Sequence, residues 1–480
     1  MYLRTLTPLL LLASAMAADP PPAAHPHEAF LGARIQRTMT LLQTSNENRH
    51  NPVRILCYGQ SIMAQGYVSR AIERMAKEKY PHARVEVRNC AIGGYTAPTL
   101  VRTAAQDVAP FYPDLVVFHV YEGHESGELE RIVSDIRRNT TAEILMWTHH
   151  IDSFGADGTE RDGSGDRASD FRRMLAQKYG AELVELREEW KAWLAANNVP
   201  RKDLLQDNIH LNNRGGNLMA ELVMRHFRYN TLFPSFWADR IRSYEVRRPL
   251  EEPSDDIALT GPWKRYGNAA GIDAGPGTLR LPFTGNRVVA ELWPVGGRRG
   301  TVKVLVDGKP PSAWTQAYAV TRTNGNPLST SRPVLNRIIP GAKPVVEDWT
   351  IQVRDISEDG KTFRFTAIGS VTGADGGGDE KTAVFTSKSE RISFEPRDLT
   401  LAAMVAQTRK PFPKEVDVVC KVVLLGCDTC TSPEKTEPGE VPLTTLIQGI
   451  PNGPHVLELQ TVGDGPFAIR ELTVHRPPLQ

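Results

Sequence analysis

Between residues 50 and 230 the chain alternates short apolar runs with segments whose apolar residues recur every three or four positions. Val53–Tyr58, Val85–Asn89, Leu115–Val120, Glu143–Thr148 and Glu182–Leu186 read as strands. Several are continuously apolar or β-branched, the pattern of strands covered on both faces. Tyr67–Tyr80, Ala97–Val108, Gly127–Arg138 and Asp166–Tyr179 carry the spacing of amphipathic helices. Repeated strand–helix units predict a parallel sheet with right-handed crossovers. Ligands of such sheets sit at the carboxyl ends of the strands, and the chemistry is sought there.

From about Ser243 the pattern changes to short strand-like runs separated by Gly, Asn, Asp and Pro: Thr278–Pro282, Arg287–Trp293, Thr301–Val306, Trp349–Val353, Thr362–Ala367, Arg391–Phe394, His455–Gln460 and Ala468–Val474. Val306-Asp307-Gly308-Lys309 has the composition of a hairpin turn. This half, 243–480, reads as a β-sandwich region. Residues 316–440 form either an insertion in the sandwich or a small extra β-domain, with Gly373–Asp379 expected as a flexible glycine-rich break. The four tryptophans Trp263, Trp293, Trp314 and Trp349 are expected mostly in the core, with a sugar-stacking surface as the alternative.

A length of 480 residues exceeds one ordinary core and fits two or three domains. With 40% hydrophobic and 24% charged residues the composition is that of a globular chain. The net charge of +1 gives no global reason to bind nucleic acid or an anionic membrane, although Arg298–Arg299 leaves room for a local basic patch. Arg4, the apolar run Leu9–Ala13 and Ala15-Met16-Ala17 have the layout of a secretory signal peptide, 1–17, too short to remain as a membrane span. A secreted or periplasmic location is expected from it. Residues 18–49 then serve as a linker and N-terminal segment, and 50–235 as the first domain. The five cysteines are Cys57, Cys90, Cys420, Cys427 and Cys430. An odd count leaves at least one unpaired, and a local disulfide staple among the last three is expected. No further ligands at zinc spacing accompany Cys427 and Cys430.

Three short segments carry candidate chemistry. Tyr58-Gly59-Gln60-Ser61-Ile62-Met63 follows the first strand, so Ser61 stands at the carboxyl end of the sheet where a helix begins. Alone, such a serine is more often a helix cap. Asp207-Asn208-Ile209-His210-Leu211 precedes an amphipathic helix with Leu218 and Leu222. An aspartate three residues before a histidine can reach its ring, fix the tautomer and stabilise the imidazolium. Asn89-Cys90-Ala91-Ile92-Gly93-Gly94-Tyr95-Thr96 follows the second strand, and its small residues let backbone N–H groups approach an oxygen.

In this order the three segments resemble the SGNH/GDSL hydrolase family. Gly59-Gln60-Ser61-Ile62 is similar to its first block, Gly94 to the glycine of its second, and Asp207 with His210 to its closing Asp-x-x-His block. The resemblance covers about 50–230 and implies a flavodoxin-like three-layer α/β domain, here followed by the β-sandwich region. It implies Ser61 as nucleophile, His210 as base, Asp207 as its orienting partner, and backbone N–H groups of Ser61 and Gly94 as oxyanion donors. The third block departs from the pattern. The strand Leu115–Val120 runs into Tyr121-Glu122-Gly123-His124-Glu125, so Gly123 falls where the family has an asparagine. Gly123, the His124 ring or a water would have to supply that donor, since losing one costs roughly 3 kcal/mol of transition-state stabilisation.

Gln60, His124, His149 and His150 are expected to bind substrate. With Glu122 and Glu125 the histidines also have the residue types for a divalent metal. Substrate binding is preferred, because adjacent histidines rarely chelate one ion together and the Ser-His-Asp set already supplies a mechanism without a cofactor. The expected activity is hydrolysis of short acyl esters, acetyl above all, on a small molecule or polysaccharide. It should rise with pH through about 6–7, where an imidazole loses its proton. A non-catalytic carbohydrate-binding protein predicts no hydrolysis in wild type or Ser61→Ala. A metal-dependent hydrolase predicts inhibition by chelators.

Overall fold

The computed structural model describes residues 20–152, 164–233, 235, 237–252 and 256–479; the expected signal peptide lies outside them. Five strands build the first sheet: β1 (Pro52–Gly59), β2 (Arg84–Asn89), β3 (Leu115–His119), β4 (Glu143–Trp147) and β5 (Glu182–Val184). Their order is β2-β1-β3-β4-β5, and every pairing is parallel. The order reverses direction at β1, which places a crevice at the carboxyl ends of β1 and β3.

Alternation along these strands sorts two cores. Val53, Ile55, Cys57, Leu115, Val117, Leu145 and Trp147 face one layer of helices: α1 (Gln36–Gln43), α2 (Ser61–Ala64), α3 (Tyr67–Lys79), and two later helices, Leu186–Asn197 and Asn213–Met224. Leu56, Tyr58, Val116, Phe118, Ile144 and Met146 face the other: α4 (Ala97–Leu100), α5 (Ala104–Val108), α6 (Glu128–Asn139) and α7 (Ser164–Tyr179). β3 and β4 are buried throughout because both faces are covered, whereas β2 lies at the sheet edge and alternates charged residues into solvent. The helices Leu186–Asn197 and Asn213–Met224 are α8 and α9. The expected helix 97–108 is two short ones, because the helical run breaks between Leu100 and Ala104.

The C-terminal half holds a nine-stranded antiparallel sheet. Its two longest strands, Thr278–Leu292 and Leu443–Thr461, pair with register shifts near Gly285 and Val288. Such irregularities bend strands, and the sheet curls to enclose its own core of Leu279, Leu281, Val304, Leu457, Phe467 and Ile469. Between Thr301–Val306 and Leu443–Thr461, which are neighbours in this sheet, the chain makes a further β-module with a separate core around Trp349, Phe365, Phe385 and Phe394. Its five-stranded antiparallel sheet runs Tyr318–Val320, Val416–Leu424, Glu347–Arg354, Arg364–Gly369, Gly373–Asp379. The last of these strands corrects the expected glycine-rich break: the segment pairs with Arg364–Gly369, and a bulge accommodates its glycines. A ribbon of Gly325–Asn326 and Ser329–Pro333 projects from the module. Trp263 and Trp349 are buried, while Trp293 and Trp314 are half-buried. The expected disulfide is absent. All five cysteines are free, and the Cys427 thiol donates to the Thr445 carbonyl at 3.7 Å. Among the described residues no helix is long and apolar enough to cross a membrane.

Candidate active site

β1 ends at Gly59, whose φ of +153° and contact with the His119 carbonyl leave no room for a Cβ. The backbone therefore turns sharply into α2, with Gln60 extended and capping it: the Gln60 Oε1 accepts from the Ile62 N–H at 2.9 Å. Ser61 becomes the first residue of α2, at the carboxyl edge of the sheet and partly exposed. The closing segment arrives from the far end of the domain. Gln65 Nε2 donates to the Leu211 carbonyl at 2.8 Å, and the Leu211 N–H donates to Gln65 Oε1 at 3.2 Å, so α2 itself holds that segment. Asn212 caps α9 through the Gly215 N–H and donates to the Asp203 carbonyl, fixing the loop's other end.

The result brings three distant side chains into one line. His210 Nε2 lies 2.8 Å from Ser61 Oγ, and His210 Nδ1 lies 2.7 Å from Asp207 Oδ2. The second carboxylate oxygen, Oδ1, accepts the N–H groups of Ile209 and His210 at 2.8 and 2.7 Å. Burial alone would raise the Asp207 pKa, but these two N–H groups and the imidazole outweigh it and hold the carboxyl below its usual range. An ionised Asp207 requires the Nδ1–H tautomer of His210, which leaves Nε2 as an acceptor for the Ser61 hydroxyl.

The Ser61 hydroxyl has a second neighbour, Gln60 Oε1, at 2.7 Å. Because the Ile62 N–H fixes that oxygen's orientation, Gln60 Nε2 points away and donates to His119 Nδ1 at 3.2 Å. His119 must then carry its proton on Nε2 and donate to His149 Nδ1 at 2.9 Å. Burial drives both rings well below the ordinary histidine pKa, and the Arg172 charge adds to it, so the pair is neutral. His119 stacks on Trp147, and Tyr121 packs on His149. His150 turns the other way: it meets the Ile209 carbonyl at 2.8 Å and so supports the His210 loop. Burial lowers it to about 4.

The loops after β2 and β3 complete the surroundings. The Ile92 N–H donates to the Gly59 carbonyl and the Ala97 N–H to the Tyr121 carbonyl, which ties both loops to the Ser61 turn. Gly94 is exposed at φ +75°, and Gly123 is buried at φ +73° against Ala97 and Leu129. Among the described residues the N–H groups of Ser61, Gly94 and Gly123 have no acceptor. His124 lies beside Phe171, with its Nδ1 buried and unpartnered.

Of the residues singled out in the sequence, Ser61, Gln60, Asp207 and His210 come together directly, His149 joins through His119, and His150 lies behind the His210 loop. The described residues contain no group of three His, Cys, Asp or Glu side chains placed to hold a metal ion. His149 and His150 instead point their bonded ring nitrogens to different partners. His119 escaped the sequence reading because it lies inside an apolar strand; a lone polar residue between Phe118 and Val120 was its signal.

No family model matches the chain, and no curated relative matches it. Solved structures do. The chain is similar to an acetyl xylan esterase, AlAXEase, at 22% identity over 35% of this chain and 97% of that one, with a TM-score of 0.32. It is similar to the acetylxylan esterase from Geobacillus stearothermophilus at 18% identity over 38% of this chain and 96% of that one, TM-score 0.32. It is also similar to a two-domain esterase (CEX) active on acetylated mannans, at 12% identity over 95% of this chain and 100% of that one, TM-score 0.34.

Proposed function

We propose that the protein is a serine esterase of the SGNH/GDSL type that removes short acyl groups, acetyl above all, from carbohydrate. The observation that carries this reading is the unbroken line Asp207–His210–Ser61, with hydrogen bonds of 2.7 and 2.8 Å. In the proposed cycle His210 Nε2 takes the Ser61 proton as Oγ attacks the ester carbonyl. The N–H groups of Ser61 and Gly94 donate to the oxygen on which charge develops. Collapse expels the alcohol, which receives its proton from His210, and water then resolves the acyl-enzyme with His210 again as base. Asp207 stabilises the imidazolium in both steps. No cofactor takes part. The carbohydrate assignment is what the resemblance implies: a Gly-Gln-Ser first block, an appended β-sandwich region and the expected export together resemble carbohydrate O-acetylesterases.

Hydrolysis of 4-nitrophenyl acetate by wild type and Ser61→Ala tests the reading, with acetate release from acetylated polysaccharide measured in parallel. The substitution should lower kcat at least about 10³-fold while leaving the fold intact. Equal rates for the two proteins would end the proposal.

A further inference from the structure

The inserted β-module lays one arginine over the loop that carries Gly93 and Gly94. Arg332, on the Ser329–Pro333 arm of the projecting ribbon, lies against the loop that follows β2. Its Nε donates to the Gly93 carbonyl at 2.9 Å, and its guanidinium carbon sits 5.5 Å from the centre of the Tyr95 ring. Nη1 is 3.9 Å from the Met404 sulfur. Nη2 occupies the space that a side chain at position 94 would fill: a Cβ on Gly94 would overlap it. Gly94 is favoured by its positive φ, and a side chain there would also push the Arg332 guanidinium aside.

Arg332 also differs in kind from Arg322 and Arg102 at this junction. Arg322 holds Asp107 through two bonds of 2.8 and 2.6 Å, and Arg102 holds Asp398 and Glu395. No carboxylate of the described residues pairs with Arg332, burial lowers its pKa, and the nearest titratable group, the Tyr95 phenol, is held neutral by its own burial. A half-buried guanidinium without a counter-ion is costly unless an anion arrives. In the cycle proposed above an anion forms beside Gly94 during reaction, and an interaction made only then lowers the barrier. The third-block asparagine, whose amide would serve the oxyanion, is missing from the chain.

We propose that Arg332 is a catalytic residue: its guanidinium, laid over Gly94 by the inserted module, donates to the negatively charged oxygen that forms when Ser61 attacks the ester. The proposal rests on the esterase reading above. As the Oγ–C bond forms, the Ser61 proton passes to His210 and the carbonyl π electrons move onto oxygen, between the Gly94 N–H and Arg332. When the tetrahedral species collapses, that pair re-forms the carbonyl, the C–O bond to the alcohol breaks, and His210 returns the proton to the leaving oxygen.

The test is steady-state hydrolysis of 4-nitrophenyl acetate, which carries no anionic group for an arginine to recognise. Wild type, Ser61→Ala, Arg332→Ala and Arg332→Lys are compared, each with its thermal unfolding midpoint. Arg332→Ala should lower kcat about 10²-fold with KM changed by less than about threefold. Arg332→Lys, which keeps the charge but loses the planar fork, should fall between. Free guanidinium at tens of millimolar should restore part of the kcat of Arg332→Ala and none of that of Ser61→Ala. Wild-type kcat in Arg332→Ala, or a loss confined to KM, overturns the inference and leaves the esterase reading standing. If Arg332→Ala unfolds early, wild-type kcat in Arg332→Lys overturns it as well. A wild type that hydrolyses no ester removes both.

Discussion

The Ser61 hydroxyl has one proton and two acceptors, His210 Nε2 and Gln60 Oε1. With a neutral imidazole the proton lies toward Nε2, the arrangement needed for attack. When His210 is protonated its Nε2–H donates to Oγ, and the hydroxyl turns to Gln60. Gln60 thus gives the resting serine a second partner whose weight depends on the charge of the imidazole. Gln60→Glu keeps both acceptor contacts and adds an anion two short hydrogen bonds from the ring. An opposite charge at about 4–6 Å favours the imidazolium, so the acidic limb of the pH profile of kcat/KM should move up by about one pH unit. An unmoved limb with the same unfolding midpoint would show that Gln60 does not bias the charge of the imidazole. The triad-like residues were legible in the sequence because their spacing is short and local: Ser61 follows a strand, and Asp207 stands one turn from His210. Gln60's link to His119 was not, because it crosses from β1 to β3.

At the scale of elements, the carboxyl ends of β3 and β4 gather His119, His149 and His150 under the site, all neutral and buried. Strand positions were readable from apolar runs, and so was the parallel order, since helices separate the strands. What the runs hid was how a polar residue at a strand end would be satisfied: His119 by Gln60 and His149, His150 by the Ile209 carbonyl. These rings carry a stability consequence. An unfolded chain protonates histidine below about pH 6.5, whereas the folded one holds His150 neutral to about 4, and holds His119 and His149 neutral well below the ordinary histidine range. Between those limits unfolding takes up protons, so stability falls as pH falls. His150 alone accounts for about 3 kcal/mol over that window at 1.4 kcal/mol per unit. Glu143, raised to about 7 by burial, and the raised carboxyls of Asp107, Asp135, Glu221 and Asp398 act in the opposite sense, while the buried and lowered His475 ring adds to the other three. Denaturant midpoints should therefore drop steadily from pH 6.5 to 4. His150→Gln, which has no proton to gain, should flatten part of that slope, and an unchanged slope would count against the assignment.

For the whole molecule, three packed bodies meet at the loop and helices that follow β2. The large sheet docks through Tyr112 to Asn286 at 3.1 Å and Gln448 to the Ala109 carbonyl at 2.6 Å. The inserted module docks through Tyr95 to Asn336 at 2.5 Å and through the paired Arg322 and Asp107. The ion pair is the contact with most at stake. Asp107 is buried, and burial pushes its pKa up against the pull of Arg322; the two bonds from the guanidinium hold it in place, and Arg322 reaches on to the Cys90 carbonyl at 2.6 Å. None of this was readable in the sequence, since residues 107 and 322 share no local pattern and an inserted module can face any way. Removing Asp107 leaves the half-buried Arg322 without its carboxylate, at a cost of up to about 3 kcal/mol. Asp107→Ala should therefore loosen the module from the loop that carries Gly94. The expected signature is an early unfolding step in the module, read by the fluorescence of Trp349 in its core, together with a loss of kcat like that of Arg332→Ala. Asp107→Asn, which keeps one acceptor for Arg322, should retain more of both. If Asp107→Ala shed the module early yet hydrolysed 4-nitrophenyl acetate at the wild-type rate, the hydrolase domain would be sufficient by itself, and the contacts across this junction would be matters of stability alone.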